Sequence, residues 1–267
     1  MVIATKRRVK LEQMAALIAA LGTTGLAGLL LNSCSSTPAE VMVPLEIPGA
    51  HYVGNKACLD CHKEIVREFP ASPHARIYFE KAAMAGETGC ESCHGPGSKH
   101  VESGGARGTI INPNKSPETC YQCHLDVRAR FNLPVHHPLP EGRVSCGDCH
   151  DPHKGSVIKG GGTQIADLND VCFQCHTAQR GPFVFEHEAV REGCISCHQP
   201  HGSVNQKLLT ERNQTLCLKC HFQQQTSGGV ILIGDVDHSS FLTRGACWTA
   251  GCHEAVHGSQ VSSSLRF

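Results

Sequence analysis

Large aromatic side chains are scarce in this chain, and no charge of one sign is in excess. Only 5% of the 267 residues are Phe, Tyr or Trp, whereas there are 27 glycines and 14 prolines. A chain of this composition has little material for a conventional protein core. The 24 basic and 24 acidic residues balance, so neither a basic surface for nucleic acid nor an acidic tail is indicated. We therefore expect a non-protein group to fill the interior.

Long apolar runs are also rare, and the most marked one lies near the N-terminus. It extends from Met14 to Leu31, follows a basic stretch around Arg7, and is diluted by glycine and threonine. This dilution makes the run a poor membrane-spanning anchor. The order of basic, apolar and small polar residues is typical of an export signal. Residues 1–33 are therefore predicted to be a signal peptide.

The apolar run is followed by a segment that resembles a bacterial lipobox. It has the sequence Leu31-Asn32-Ser33-Cys34, with Asn32 in place of the usual small residue. Because Cys34 is the only cysteine outside the pattern described next, we expect it to be lipidated and to begin the mature protein. The alternative is ordinary cleavage nearby, which would leave a free thiol. The proline-containing residues 35–50 are expected to be a tether.

The other sixteen cysteines form eight pairs, each followed at once by a histidine. Two thiols one turn apart can add to the two vinyl groups of one haem, and the imidazole that follows can ligate its iron. Zinc knuckles, redox dithiols and disulfide scaffolds also use paired cysteines, but none requires this histidine. Residues 51–267 are therefore predicted to be a domain with eight covalent haems c, bound at Cys58-Cys61-His62, Cys90-Cys93-His94, Cys120-Cys123-His124, Cys146-Cys149-His150, Cys172-Cys175-His176, Cys194-Cys197-His198, Cys217-Cys220-His221 and a stretched motif, Cys247-x4-Cys252-His253.

Ten histidines lie outside the motifs, and eight haems with two axial imidazoles each would need eight of them. Four methionines are too few to replace them, so we expect bis-histidine iron throughout, with low potentials and no open iron position. His51 is the first candidate for a non-ligand, and the adjacent His136 and His137 could serve two haems or one. The expected ligands outside the motifs are His74, His100, His136, His137, His153, His187, His201, His238 and His257.

Two of these histidines follow a motif closely. His153 and His201 each stand three residues after a motif histidine, with a proline between them. The proline stiffens the turn, so the imidazole is expected to point at a neighbouring haem rather than at its own.

The spacing of the motifs limits the regular structure that the chain can form. Consecutive motifs begin between 22 residues (Cys172 to Cys194) and 32 residues (Cys58 to Cys90) apart. Such segments allow a helical turn at each motif, loops, and occasional longer helices such as Lys63–Phe69 and Arg76–Ala85. The predicted fold is mostly irregular with short α-helices and little or no β-sheet, an elongated multihaem cytochrome c wire whose core is formed by the haems.

Segments between the motifs resemble the periplasmic cytochromes of porin–cytochrome conduits, the MtrA/DmsE type. The similar stretches begin at Gly89, Val135, Gly181 and Cys197. The resemblance implies a haem wire that enters an outer-membrane β-barrel porin, takes electrons from a periplasmic donor cytochrome and passes them to an outer-surface multihaem cytochrome. It also implies a lipid-anchored location on the periplasmic side of the outer membrane. Because the namesakes bind ten haems, a shorter, octahaem subgroup is implied.

Electron transfer in extracellular metal oxide respiration is the leading hypothesis, without catalytic residues. One alternative is a multihaem reductase of nitrite, hydroxylamine or tetrathionate, and another is a free periplasmic electron shuttle or a filament-forming cytochrome. A reductase needs an open iron, which is usually marked by a Cys-x-x-Cys-Lys motif or a missing distal ligand. Every motif here ends in histidine, so an electron carrier is expected rather than an enzyme.

Overall fold

The computed structural model describes residues 45–75, 89–154, 165–242, 244–245, 247–249 and 251–267. The predicted signal peptide, Cys34, residues 35–44 of the predicted tether and the predicted helix Arg76–Ala85 lie outside the described residues. Residues 45–50 are attached to the domain, since Lys99 Nζ donates to the carbonyl of Pro48 at 2.5 Å and the Tyr52 hydroxyl to that of Leu45 at 2.6 Å.

Short helices make up most of the regular structure, and the longest helix among the described residues has nine residues. In the part of the chain that the structure describes, five 3-10 turns continue or connect them, at Phe69–Ala71, Thr177–Gln179, Glu188–Glu192, Cys194–Ser196 and Gln206–Leu208. The α-helices are α1 (Asn55–Leu59), α2 (Lys63–Glu68), α3 (Glu91–His94), α4 (Ser98–Glu102), α5 (Glu118–Tyr121), α6 (Leu125–Phe131), α7 (Cys146–Cys149), α8 (Ile165–Phe173) and α9 (Gln214–Leu218).

Local chemistry explains where these helices end. Helix α2 ends one residue before the predicted Phe69, and the chain continues as the 3-10 turn Phe69–Ala71. Pro70 has no N–H to donate the next α-helical hydrogen bond, so the α-helix stops there. Helix α3 ends at His94, and the next residue, Gly95, has a φ of 70°. A Cβ there would lie 2.9 Å from the Ile111 side chain, so only glycine suits this position.

Among the described residues, the β-structure consists of two small antiparallel sheets. Strand β1 (Phe185–Glu186) pairs with β5 (Gly258–Ser259), with Phe185 opposite Ser259. Strands β2 (Gln224–Gln225), β3 (Ile231–Ile233) and β4 (Val236–Asp237) form a sheet in the order β2-β3-β4. The β3–β4 turn, Gly234-Asp235, has positive φ at both residues, as a tight two-residue hairpin requires. The prediction of short helices with little sheet is confirmed.

The protein part of the core is small. Its main buried cluster consists of Tyr121, Phe131 and Leu139. Across the described residues, six apolar side chains are buried, and seven polar or charged ones are buried with them. Packing between protein side chains therefore contributes little to holding the segments together. No helix in the described ranges is both long and apolar enough to cross a bilayer.

Candidate haem-binding sites

Each Cys-x-x-Cys-His motif forms one closed helical turn. In the seven motifs of standard spacing, the histidine N–H donates a hydrogen bond to the carbonyl oxygen of the first cysteine at 2.9 to 3.0 Å. This bond between residues four apart is that of an α-helical turn, and it brings the two cysteines and the histidine together. All sixteen motif cysteines are described and carry free thiols, which suits attachment of haem rather than a disulfide scaffold.

The stretched eighth motif closes in the same way. The N–H of His253 donates to the carbonyl oxygen of Cys247 at 3.0 Å, and the N–H of Cys252 donates to that of Thr249 at 2.9 Å. The two extra residues therefore enlarge the turn without opening it.

Each motif histidine faces the imidazole of one other histidine. The ring centroids are 6.0 to 6.4 Å apart in all eight cases, and no histidine is used twice. The pairs, in the order of the motifs, are His62–His100, His94–His153, His124–His74, His150–His201, His176–His137, His198–His257, His221–His187 and His253–His238.

These separations fit an iron atom between the two rings. An imidazole–metal bond is about 2 Å long and the ring centre lies about 1 Å further away, so two rings on opposite sides of one iron have centres about 6 Å apart. Because every pair also stands beside two cysteine thiols, the donor set at each site suits haem c.

Hydrogen bonds between the ring Nδ1 atom and a backbone carbonyl orient many of these imidazoles. Since a carbonyl oxygen only accepts, the Nδ1 atom carries the proton, and the Nε2 lone pair remains free for a metal. The ring Nδ1 donates to a backbone carbonyl in at least seven ligand candidates, namely His94 to Ile111 at 3.0 Å, His100 to Ala106 at 3.1 Å, His137 to Pro200 at 2.6 Å, His187 to Val256 at 2.8 Å, His198 to Lys207 at 2.8 Å, His238 to Val236 at 2.9 Å and His253 to Ser264 at 2.6 Å.

The eight pairs leave out His51 and His136. Both ring nitrogens of His136 are engaged elsewhere, Nδ1 with the carbonyl of Leu133 at 2.6 Å and Nε2 with the carboxylate of Glu141 at 3.1 Å. The Leu133 carbonyl and the Glu141 carboxylate raise the pKa of His136. Its neighbour His137 faces His176 instead. Of the two arrangements that the sequence leaves open, the geometry favours one haem served by this dipeptide.

The partner of a motif histidine usually comes from a distant segment. His153 faces His94, and His201 faces His150. Neither faces the motif histidine three residues before it, which is the orientation expected from the intervening proline. An iron held between two such rings would link segments between which there is little apolar packing.

Consecutive motifs lie next to each other. The thiols of their first cysteines are close enough to shift each other's pKa in the pairs Cys58–Cys90, Cys120–Cys146, Cys172–Cys194 and Cys217–Cys247. The second cysteine of a motif lies near a thiol of the following motif. Burial is the main cause of the raised pKa of this second cysteine, and the neighbouring thiol raises it further. The neighbours are Cys123 for Cys93, Cys172 for Cys149 and Cys220 for Cys197. The motifs therefore follow one another in space in the order of the chain.

Two asparagines that the sequence analysis did not single out join neighbouring motifs. Asn55 Oδ1 accepts the N–H of Cys90 at 3.0 Å, and Asn169 Oδ1 accepts that of Cys194 at 2.8 Å. Asn169 also donates from Nδ2 to the carbonyl of Val190 at 2.9 Å. Both asparagines stand three residues before the first cysteine of an odd-numbered motif. This repeated Asn-x-x-Cys spacing is the sequence pattern from which the two bridging asparagines could have been predicted.

Comparisons with known proteins agree with this geometry. The family described as "Doubled CXXCH motif" matches residues 136–181 and 187–226, and "Cytochrome c554 and c-prime" matches residues 47–95. The chain is 33% identical over 214 residues to "Multiheme cytochrome MtrA" of Shewanella baltica, which covers 78% of this chain and 59% of the relative. It is 26% identical over 260 residues to "C-type polyheme cytochrome OmcB" of Geobacter sulfurreducens, which covers 85% of this chain and 32% of the relative.

The chain thus spans less than two thirds of the length of these relatives. The shared feature is the repeated cysteine–histidine motif, whose local geometry suits covalent haem c and whose established use in such proteins is electron transfer. The chain is therefore a multihaem c-type cytochrome that is similar to MtrA over 78% of its length.

Proposed function

We propose that this cytochrome is an octahaem electron conduit in which every iron has two histidine ligands. The observation that carries the proposal is the set of eight imidazole pairs, one for each motif, with ring centroids 6.0 to 6.4 Å apart. When bound, haem c supplies reversible one-electron chemistry at its iron. In each site the two cysteines would hold the haem, and the motif histidine and its paired histidine would ligate the iron.

The proximity of the motif cysteines supports conduction along the chain. From Cys58 beside Cys90 to Cys217 beside Cys247, each haem attachment point has a neighbour in the next motif. Haems held at these cysteines would lie with their edges close together. Because electron tunnelling falls off steeply with distance, the expected route runs from the first motif to the eighth in chain order.

The ligand set favours electron transfer over catalysis. A reductase would need an iron with one open axial position. Here every motif histidine has a second imidazole 6.0 to 6.4 Å away, which would fill the other axial position. The proposed irons are therefore closed to nitrite, hydroxylamine or tetrathionate.

The proposed place of electron transfer is the outer membrane. Its support is the resemblance of the segments between the motifs to cytochromes of porin–cytochrome conduits, together with the 33% identity to a relative named MtrA. The partners would be an outer-membrane β-barrel porin, a periplasmic donor cytochrome and an outer-surface multihaem cytochrome. Lipidation of Cys34 would hold the protein on the periplasmic side of the outer membrane.

The haem number and ligation can be measured on the purified protein. Mass spectrometry of the denatured chain is expected to show eight covalent haems, and electron paramagnetic resonance of the oxidised protein is expected to show low-spin ferric iron only. A mass with fewer haems, or a substantial high-spin ferric signal, would contradict the proposal.

The conduit proposal is tested by identifying the protein that co-purifies with this cytochrome. The tagged protein, extracted from outer membranes in detergent, is expected to co-purify with a β-barrel protein and to reduce an acceptor outside proteoliposomes that contain both. Recovery as a soluble monomer without a barrel would favour a free shuttle instead. The Cys34→Ala variant separates the two attachments, because it should lose its lipid but still bind the barrel.

A further inference from the structure

A carboxylate is buried inside the second haem motif. Glu91 directly follows Cys90, and only 1% of its side chain is exposed, which makes it the largest fully buried side chain of the described residues. Burial of a charged group is costly unless hydrogen bonds compensate for the lost water. The other seven motifs, from Leu59 in the first to Trp248 in the eighth, have an uncharged residue at this position.

The hydrogen bonds around Glu91 suit an ionised carboxylate. Its oxygens accept backbone N–H groups from Val53 at 3.0 Å, Gly54 at 2.8 Å and Gly97 at 2.7 Å. All three partners are donors, and an ionised carboxylate is the form that only accepts. Glu91 forms no ion pair with any described residue, so its negative charge is hydrogen-bonded without a cationic partner.

The backbone is shaped to approach this carboxylate. Gly54 has a φ of 79°, and a Cβ on Gly97 would lie 3.2 Å from Glu91 Oε1. Larger residues at these positions would be strained or would crowd the carboxylate. The two glycines thus form a pocket for the carboxylate from segments on either side of the motif.

The buried charge lies beside the attachment points of two haems. Gly54 donates to Glu91 while its carbonyl accepts from the thiol of Cys58 at 4.0 Å, and Cys90 is adjacent to Glu91 in the chain. Burial is the main cause of the raised pKa of the Cys58 and Cys90 thiols, and the Glu91 carboxylate raises the pKa of both further.

We propose that Glu91 sets the potential of the first two haems, because its buried negative charge stabilises their ferric state and makes them the lowest-potential pair of the chain. The ferric haem carries one more positive charge than the ferrous haem, and an anion acts on it strongly where water is excluded. This inference rests on the proposed function, since it requires haems at the first two motifs. Electrons that reach this pair would pass readily to the third haem.

The test compares potentials in the full-length holoprotein. Glu91→Gln keeps the size of the side chain and one oxygen acceptor but removes the charge. In a spectroelectrochemical titration we expect about two of the eight haems, those at the low-potential end, to shift to higher potential while the rest superimpose on the parent curve. The control is Glu118→Gln near the third motif, whose side chain is 65% exposed and paired with Arg128; it should cause no shift, because water screens its charge.

The results for the Glu91 variants and for the parent protein contradict different claims. A Glu91→Gln protein with eight haems and an unchanged titration would overturn the proposal and leave Glu91 with a structural role only. If Glu91→Gln loses haem, Glu91→Asp decides, because it retains the charge and should retain the low-potential pair; a shift to high potential in that variant would also overturn the proposal. A parent protein with fewer than eight haems would contradict the proposed function itself.

Discussion

The backbone N–H of His253 donates a hydrogen bond to the carbonyl oxygen of Cys247 at 3.0 Å, although the two residues are six positions apart in the chain. The same two atoms are 2.9 to 3.0 Å apart in the seven motifs where the separation is four residues. The larger loop is accommodated with the help of Gly251, which has a φ of 82°, and Trp248 lies under the ammonium group of Lys207 at 5.9 Å. The feature that the eight motifs share is therefore the closing hydrogen bond rather than the cysteine spacing.

Shortening the eighth motif should leave the number of haems unchanged. Deletion of Thr249 and Ala250 produces the standard spacing, and the closing bond can then form as in the other motifs. The expected result is eight covalent haems by mass spectrometry, with low-spin iron. Loss of one haem in the deletion variant, with the parent at eight, would show that the wider turn itself is needed.

The adjacent histidines 136 and 137 should respond differently to substitution. His137→Ala removes the ring that faces His176, so one haem in eight should become high-spin in electron paramagnetic resonance spectra. His136→Ala, the matched control, removes a ring bonded to Leu133 and Glu141 and should leave every haem low-spin. The reverse pattern would mean that His136 is the ligand.

The two bridging asparagines offer a comparison within one chain. Asn169→Ala leaves the Cys194 N–H and the Val190 carbonyl without the partners seen in the structure, so the free energy of unfolding should fall by about 1–3 kcal/mol. Chemical denaturation followed by haem absorbance measures this loss.

Aspartate variants distinguish the role of the amide oxygen as an acceptor from the role of the amide nitrogen as a donor. Asn55→Asp keeps an oxygen that can accept the Cys90 N–H and should be mild. Asn169→Asp also keeps the acceptor but loses the Nδ2 donor and places a carboxylate against the Val190 carbonyl, so it should be more destabilising. Equal losses in the two variants would argue against this account of the bridges.

Gly202 should be intolerant of any side chain. A Cβ at this position would lie 2.0 Å from the carbonyl oxygen of Arg130, and Gly202 directly follows His201, which faces His150. Gly202→Ala should therefore displace the His201 ring, produce one high-spin haem, and lower the free energy of unfolding by about 1–3 kcal/mol or more.

The matched control for this change is Gly228→Ala. The nearest atom to a Cβ on Gly228 is 3.9 Å away, so the effect on unfolding should stay within about 0.5 kcal/mol. A Gly202→Ala protein as stable and as fully low-spin as Gly228→Ala would contradict the close approach of Gly202 to Arg130.

The fold class and the motif positions could be predicted because they depend on neighbours in the chain. The turn from Cys58 to His62 needs only the five residues that form it, and helix α2 was predicted to within one residue at its C-terminal end. The β1–β5 pairing of Phe185 with Ser259 was not predicted. Each of these strands has only two residues, too few for an alternating pattern to be visible in the sequence.

The sequence by itself determined the local chemistry, namely sixteen thiols in eight pairs, a histidine after each pair, and enough further histidines to provide a partner for every one. Only the tertiary structure decided which rings face each other, that His137 rather than His136 faces a motif histidine, and that Glu91 is buried beside Cys58 and Cys90. The physical reason is distance along the chain. A turn closes through bonds between residues a few positions apart, whereas opposed imidazoles such as His94 and His153 meet only where the paths of separate segments bring them together.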